Sequence, residues 1–137
     1  MYLSHLNDII KYMENDKIIL IVEDEKSLRE ALNDKLTREG FTVFEAKDGE
    51  EGLEMSRKVR PGLILLDLLM PKMSGTEMAK KLREEEWGKN VKIIILTNLT
   101  EEEKVKRELE NSVYEYIIKN DVRIDQVVEK VKRILEC

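Results

Sequence analysis

The sequence predicts an α/β fold, a doubly wound, five-stranded parallel sheet with helices on both faces. Three observations predict it. Short, continuous apolar runs rich in β-branched residues recur along the chain, as strands buried on both faces require. Between them lie apolar stripes at helical spacing. The two patterns alternate strand then helix, five times over, which calls for right-handed crossovers and a parallel sheet covered on both sides.

The first strand is Ile18-Ile19-Leu20-Ile21-Val22, and Leu28, Ala31, Leu32 and Leu36 form the stripe of the first helix, with Gly40 as its stop. Phe41-Thr42-Val43-Phe44 alternates more and reads as a less buried second strand. Gly52, Met55, Ser56 and Val59 make a weaker second stripe before Pro61-Gly62 opens the third strand, Leu63-Ile64-Leu65-Leu66. Met78, Ala79 and Leu82 mark the third helix, with Ser74 or Thr76 as its cap and Trp87 at its end as a packing residue. The fourth strand is Ile93-Ile94-Ile95-Leu96. Thr100 and Glu103 then form a capping-box pattern ahead of Val105 and Leu109. Tyr116-Ile117-Ile118 is the fifth strand, and Ile124, Val127, Val128, Val131 and Leu135 give the cleanest helical face, with Asp121 as its cap.

At 137 residues the chain has length for one domain, residues 17–137, preceded by an extension over residues 1–16. In that extension Leu3, Leu6, Ile10 and Met13 lie at helical spacing, so it reads as an amphipathic segment able to dock on its own domain, a second copy or a partner. Charged residues at 39% beside 42% hydrophobics describe a folded domain, and the net charge of −5 argues against direct nucleic-acid binding or binding to an anionic membrane. One cysteine, Cys137, excludes a disulfide framework and a cysteine-rich zinc site; one histidine, His5, leaves no histidine-based catalytic pair in the domain body. No apolar run spans a bilayer and Met1 to Leu6 lack a signal peptide's basic region, so no membrane insertion and a cytoplasmic location are expected.

In an open parallel sheet the functional crevice lies beyond the carboxyl ends of the strands. Those ends carry Glu23 and Asp24 after the first strand, Asp67 after the third, Thr97 after the fourth and Lys119 after the fifth. An acidic residue after one strand is usually a solvated turn, but here that explanation would have to hold independently at several ends. Clustered carboxylates repel unless a cation joins them, and an all-oxygen set suits Mg²⁺ rather than zinc. Such a site fits phosphoryl transfer to a carboxylate: Asp67 as nucleophile, with Mg²⁺, Lys119 and the Thr97 hydroxyl compensating charge on the phosphoryl oxygens.

With these residues goes Asp67-Leu68-Leu69-Met70-Pro71-Lys72-Met73-Ser74-Gly75, which follows the pattern D-x-x-M-P-x-M-x-G throughout. With Val22-Glu23-Asp24-Glu25, Leu96-Thr97 and Tyr116-Ile117-Ile118-Lys119, the chain from Lys17 to about Leu135 resembles the CheY-like receiver domain of two-component response regulators. The resemblance implies the strand order 2-1-3-4-5. It implies a phosphorylation-activated signalling switch and not an enzyme with a turnover substrate, although such a domain catalyses its own phosphorylation and dephosphorylation. Asp67 would be the phosphoacceptor, charged by a sensor histidine kinase or a histidine phosphotransfer protein and read by a downstream protein target. Mg²⁺, with Mn²⁺ as a substitute, would be bound by Asp24, Asp67 and the Leu69 backbone carbonyl, with Glu23 helping directly or through water. Thr97 and Tyr116 would be the switch pair and Lys119 the phosphate-pairing cation. The chain departs from the family pattern at Asn98, at Ser112-Val113 and at Asn120.

Other readings are weaker. A dehalogenase-type phosphatase needs a second aspartate where Leu69 stands, and a flavin-nucleotide binder would have its phosphate repelled by Glu23-Asp24-Glu25. A phosphorylation-independent pseudo-receiver or structural interaction module is the remaining alternative. Leu69 and Leu99 are expected to flank the phosphoryl site and shield it from water. With no effector domain visible, the chain reads as a stand-alone receiver or a piece of a longer regulator, and a homodimer through the fourth- and fifth-helix face is allowed.

Overall fold

The computed structural model describes residues 17–97, 115–119 and 123–135. Among them are β1 (Ile18–Val22), α1 (Lys26–Arg38), β2 (Thr42–Ala46), α2 (Gly49–Val59), β3 (Leu63–Asp67), α3 (Gly75–Glu84), a short 3₁₀ turn (Glu86–Gly88), β4 (Lys92–Thr97), β5 (Glu115–Ile118) and α4 (Ile124–Leu135). All strand pairs are parallel and the sheet order is β2-β1-β3-β4-β5, as expected. The helix expected around Val105 and Leu109, the extension over residues 1–16, Cys137 and the Asp121 cap lie outside the described residues.

Period-two alternation along the strands divides one sheet between two cores. Leu20, Val22, Ile64, Leu66, Ile93 and Ile95 face Leu53 of α2 and Met78, Ala79 and Leu82 of α3. Ile19, Ile21, Leu63, Leu65, Ile94 and Leu96 face Leu32 and Leu36 of α1 and Val127, Val128, Val131 and Leu135 of α4. The central strands therefore have no polar face, which is why they read as unbroken apolar runs. β2 and β5, at the sheet edges, are only partly buried.

The helix ends follow local chemistry. α1 stops in a Schellman arrangement: Gly40 takes φ +98°, its N–H donates to the Thr37 carbonyl, and the Phe41 N–H reaches back to Leu36 at 3.1 Å. Buried Phe41 packs in the same core as Leu36, closing the motif. Asp48 caps α2, accepting from the Glu51 N–H at 2.8 Å, and Ser74, not Thr76, caps α3.

Two expectations need correction. Ala31 is exposed, because α1 rests on the sheet only along Leu32 and Leu36, with Leu28 at the margin. The stripe of α2 is carried by Gly52, Leu53 and Ser56, while Met55 and Val59 are only half-buried. Trp87 packs against the α2–α3 core as expected, from the 3₁₀ turn just after α3; its indole N–H donates to Glu85 and its ring lies 5.7 Å from the Arg60 guanidinium.

Candidate functional site

The carboxyl ends of β1, β3 and β5 bring three side chains onto one side of the sheet. Glu23 continues the parity of Ile19 and Ile21, Asp67 that of Leu63 and Leu65, and Lys119 that of Ile117. The register sets their level: Val22 pairs with Leu66, so Glu23 stands one step on, beside Asp67.

Lys119 Nζ donates to Glu23 Oε2 at 3.0 Å and to Asp67 Oδ2 at 3.2 Å, and Glu25 Oε2 lies 3.8 Å away. Glu23 is fully buried and Asp67 is 3% exposed, while Asp24 is exposed to solvent. Ligand oxygens of Glu23, Asp24 and Asp67 all lie within 4.8 Å of one another. Burial pushes the Asp67 carboxyl up to about 7, helped by the adjacent Glu23 charge and opposed by the Lys119 ammonium. For Lys119 burial acts downward, but the hydrogen bond to Glu23 and the attraction of Asp67 outweigh it, leaving its pKa above the ordinary lysine value.

The site fits a hard divalent cation on two grounds. Its donors are carboxylate oxygens at mutual distances that one ion can bridge. Glu23 Oε1 is also buried without a hydrogen-bond partner, an arrangement costly unless a cation or its bound water completes it. Thr97 ends β4 and is buried, and Tyr116 is half-buried on β5 against the α2–α3 core. Leu69 is 57% exposed, the one large apolar side chain so exposed among the described residues. Leu99, Asn98, Asn120 and Ser112-Val113 fall outside them.

Residues 19–132 match the family model of the response regulator receiver domain. The chain belongs to that family. Among curated relatives of this receiver domain, the transcriptional regulatory protein SrrA of Staphylococcus aureus is 39% identical over 117 residues, covering 85% of this chain and 47% of SrrA. The hybrid signal transduction histidine kinase D of Dictyostelium discoideum is 37% identical over 107 residues, 78% of this chain and 7% of that protein. This receiver domain thus spans about half the length, or far less, of these relatives. Among solved structures, the chemotaxis response regulator CheY4 of Vibrio cholerae superposes with a TM-score of 0.78 at 30% identity, covering 85% of this chain and 97% of CheY4. The response regulator TrrA of Thermotoga maritima, solved in complex with Mg²⁺–BeF, gives 0.74 at 34% identity over 85% and 97%.

Of the residues expected at the site, Glu23, Asp24, Asp67 and Lys119 come together as a cluster. Sequence reading missed Arg29 and Glu45. Arg29 Nη1 donates to the Glu23 backbone carbonyl at 2.8 Å, and its Nε donates to Glu45 Oε1 at 2.8 Å. No strand-end rule points to either residue, because one lies inside a helix and the other within an edge strand.

Proposed function

We propose that this receiver domain accepts a phosphoryl group on Asp67 from the phospho-histidine of a sensor kinase or phosphotransfer protein, and that the acylphosphate alters its contacts with a downstream protein. The observation that carries this reading is the position of Asp67: a buried carboxylate at a rigid strand end, 3.2 Å from an ammonium and beside two further carboxylates.

In the step, an Asp67 carboxylate oxygen attacks phosphorus, the phosphorus–nitrogen bond breaks, and the electron pair leaves with the imidazole nitrogen. Lys119 stands ready to pair with the phosphoryl oxygens, and the Thr97 hydroxyl is the candidate donor to another. Asp24, Asp67, the Leu69 carbonyl and Glu23 are the residues that would hold Mg²⁺. A bound divalent ion supplies charge compensation for the transferred group and favours the ionised nucleophile. The product adds about −1.5 to −2 charges at neutral pH. Thr97 drawn toward that charge would pull on the segment after β4, leaving room for Tyr116 to turn inward.

Intact mass after incubation with Mg²⁺ and acetyl phosphate tests the reading. The wild-type chain should gain one phosphoryl group and Asp67→Asn should gain none. Equal labelling of the two, or none in either, refutes the assignment.

A further inference from the structure

We propose that Arg29 is a positioning residue for the acidic site: anchored on Glu45, it holds the Glu23 backbone so that Glu23 and Asp24 form a preorganised cation site beside Asp67. The inference deepens the phosphoacceptor reading and rests on it.

Glu23 and Asp24 leave β1 next to a third carboxylate, so mutual repulsion works to splay the loop before a cation arrives. Four hydrogen bonds tie Glu23 down. The Glu23 N–H donates to the Ala46 carbonyl at 3.0 Å, extending the ladder from β2. The Glu23 carbonyl accepts from Arg29 Nη1 at 2.8 Å. The Glu23 carboxylate accepts from the Glu25 N–H and from Lys119, both at 3.0 Å.

Arg29 is itself held by two neighbours, and one of these is held in turn. Its Nε donates to Glu45 on β2, its N–H donates to Glu25 at the head of α1, and the second Glu45 oxygen is occupied by the Asn33 side-chain amide one turn further along α1. The Arg29 side chain is only 15% exposed, so its hydrogen bonds are largely shielded from solvent. A guanidinium suits this place because its fixed fork reaches a carboxylate and a carbonyl at once, which a lysine ammonium on a flexible stem does not reproduce.

Positioning and simple charge predict opposite results. Arg29→Gln removes a positive charge from the neighbourhood of a cation site, so Coulomb attraction alone predicts tighter Mg²⁺ binding. Arg29→Lys keeps the charge, so the same reasoning predicts no change. Positioning predicts weaker binding in both, by about tenfold, as for the loss of other groups that orient metal ligands.

The test is Mg²⁺ titration by calorimetry of the wild-type chain, Arg29→Lys and Arg29→Gln, where circular dichroism shows each folded. Hydrogen exchange at the Glu25 amide in metal-free protein is the second readout, and it should quicken relative to the β4 amides in both variants. Weaker Mg²⁺ binding with faster Glu25 exchange supports the proposal. Unchanged or tighter binding in Arg29→Lys overturns it, and that variant decides alone should Arg29→Gln not fold. A wild-type chain that binds no Mg²⁺ overturns both this inference and the reading beneath it. Normal wild-type binding beside equal binding by the variants overturns the inference only.

Discussion

The backbone of Gly75 rests directly on that of Asp67. A Cβ built on Gly75 would meet the Asp67 carbonyl oxygen at 2.2 Å, and the Gly75 N–H donates to the Leu68 carbonyl at 2.9 Å. The last position of the D-x-x-M-P-x-M-x-G run is therefore a steric requirement: the first turn of α3 lies flush on the strand end that carries Asp67. Gly75→Ala must push that turn or the strand end aside. A loss of about 1–3 kcal/mol is expected, as for other overpacked sites, together with slower phosphoryl acceptance. Urea midpoints and acetyl-phosphate labelling rates measure the two effects. An alanine variant equal to wild type in both would contradict the contact.

Asp67 makes stability depend on pH. Its carboxyl, raised from the ordinary 3.8 to about 7 chiefly by burial, binds a proton in the folded, metal-free chain over a range where the unfolded chain has released it. The native state holds more protons there, so wild-type stability falls as pH rises from about 4 to 7 and is level above that range. Asp67→Asn lacks this loss. Its advantage should grow across the same window to the order of 4 kcal/mol, from the free energy of a pKa change, and shrink when Mg²⁺ is added. Chemical denaturation of both proteins in chelator from pH 4 to 8 checks this, and a gap independent of pH would count against it.

Lys119 acts as a resident counter-ion. It joins buried Glu23 to Asp67, and its raised pKa keeps it charged throughout the physiological range. Lys119→Met leaves both carboxylates without that partner, at a cost of about 3 kcal/mol in the absence of metal, as when one member of a buried pair is removed. Mg²⁺ should then raise the melting temperature of the variant more than that of wild type. Thermal scans with Mg²⁺ and with chelator give the comparison; identical metal-induced shifts would show that the ammonium carries no such role.

The two capping side chains differ in worth. Asp48 is 4% exposed and accepts from the Glu51 N–H at 2.8 Å, whereas Ser74 accepts from the Glu77 N–H at 3.2 Å in an exposed turn. A buried, charged acceptor at a helix N-terminus makes the stronger bond. Asp48→Ala should cost about 1–2 kcal/mol and Ser74→Ala about 0.5–1 kcal/mol. Equal urea midpoints for the two variants would remove the ranking.

Much of this was legible in the linear chain. Strands such as Ile18–Val22 and Leu63–Asp67 are buried on both faces, so their apolar runs carry no competing pattern. The acidic pair, Asp67 and Lys119 follow from one rule, that side chains at the carboxyl ends of parallel strands share an edge. Helix faces were less legible, because the stripe at Leu28, Ala31, Leu32 and Leu36 tells which residues share a side but not how wide a strip the sheet covers. Ala31 lies beyond that strip, and Leu53 lies within one that small residues obscured.

The amino-acid order by itself determined the sheet, its crossovers and the identity of the groups that gather at its edge, because burial on two faces and strand polarity are properties of local pattern. Tertiary structure alone decided that Glu23 is buried while adjacent Asp24 is exposed, that Lys119 bridges Glu23 and Asp67, and that Arg29 reaches from a helix to grip the Glu23 carbonyl. Each of those depends on distances between segments remote in sequence, and such distances exist only once the two cores have closed around the sheet.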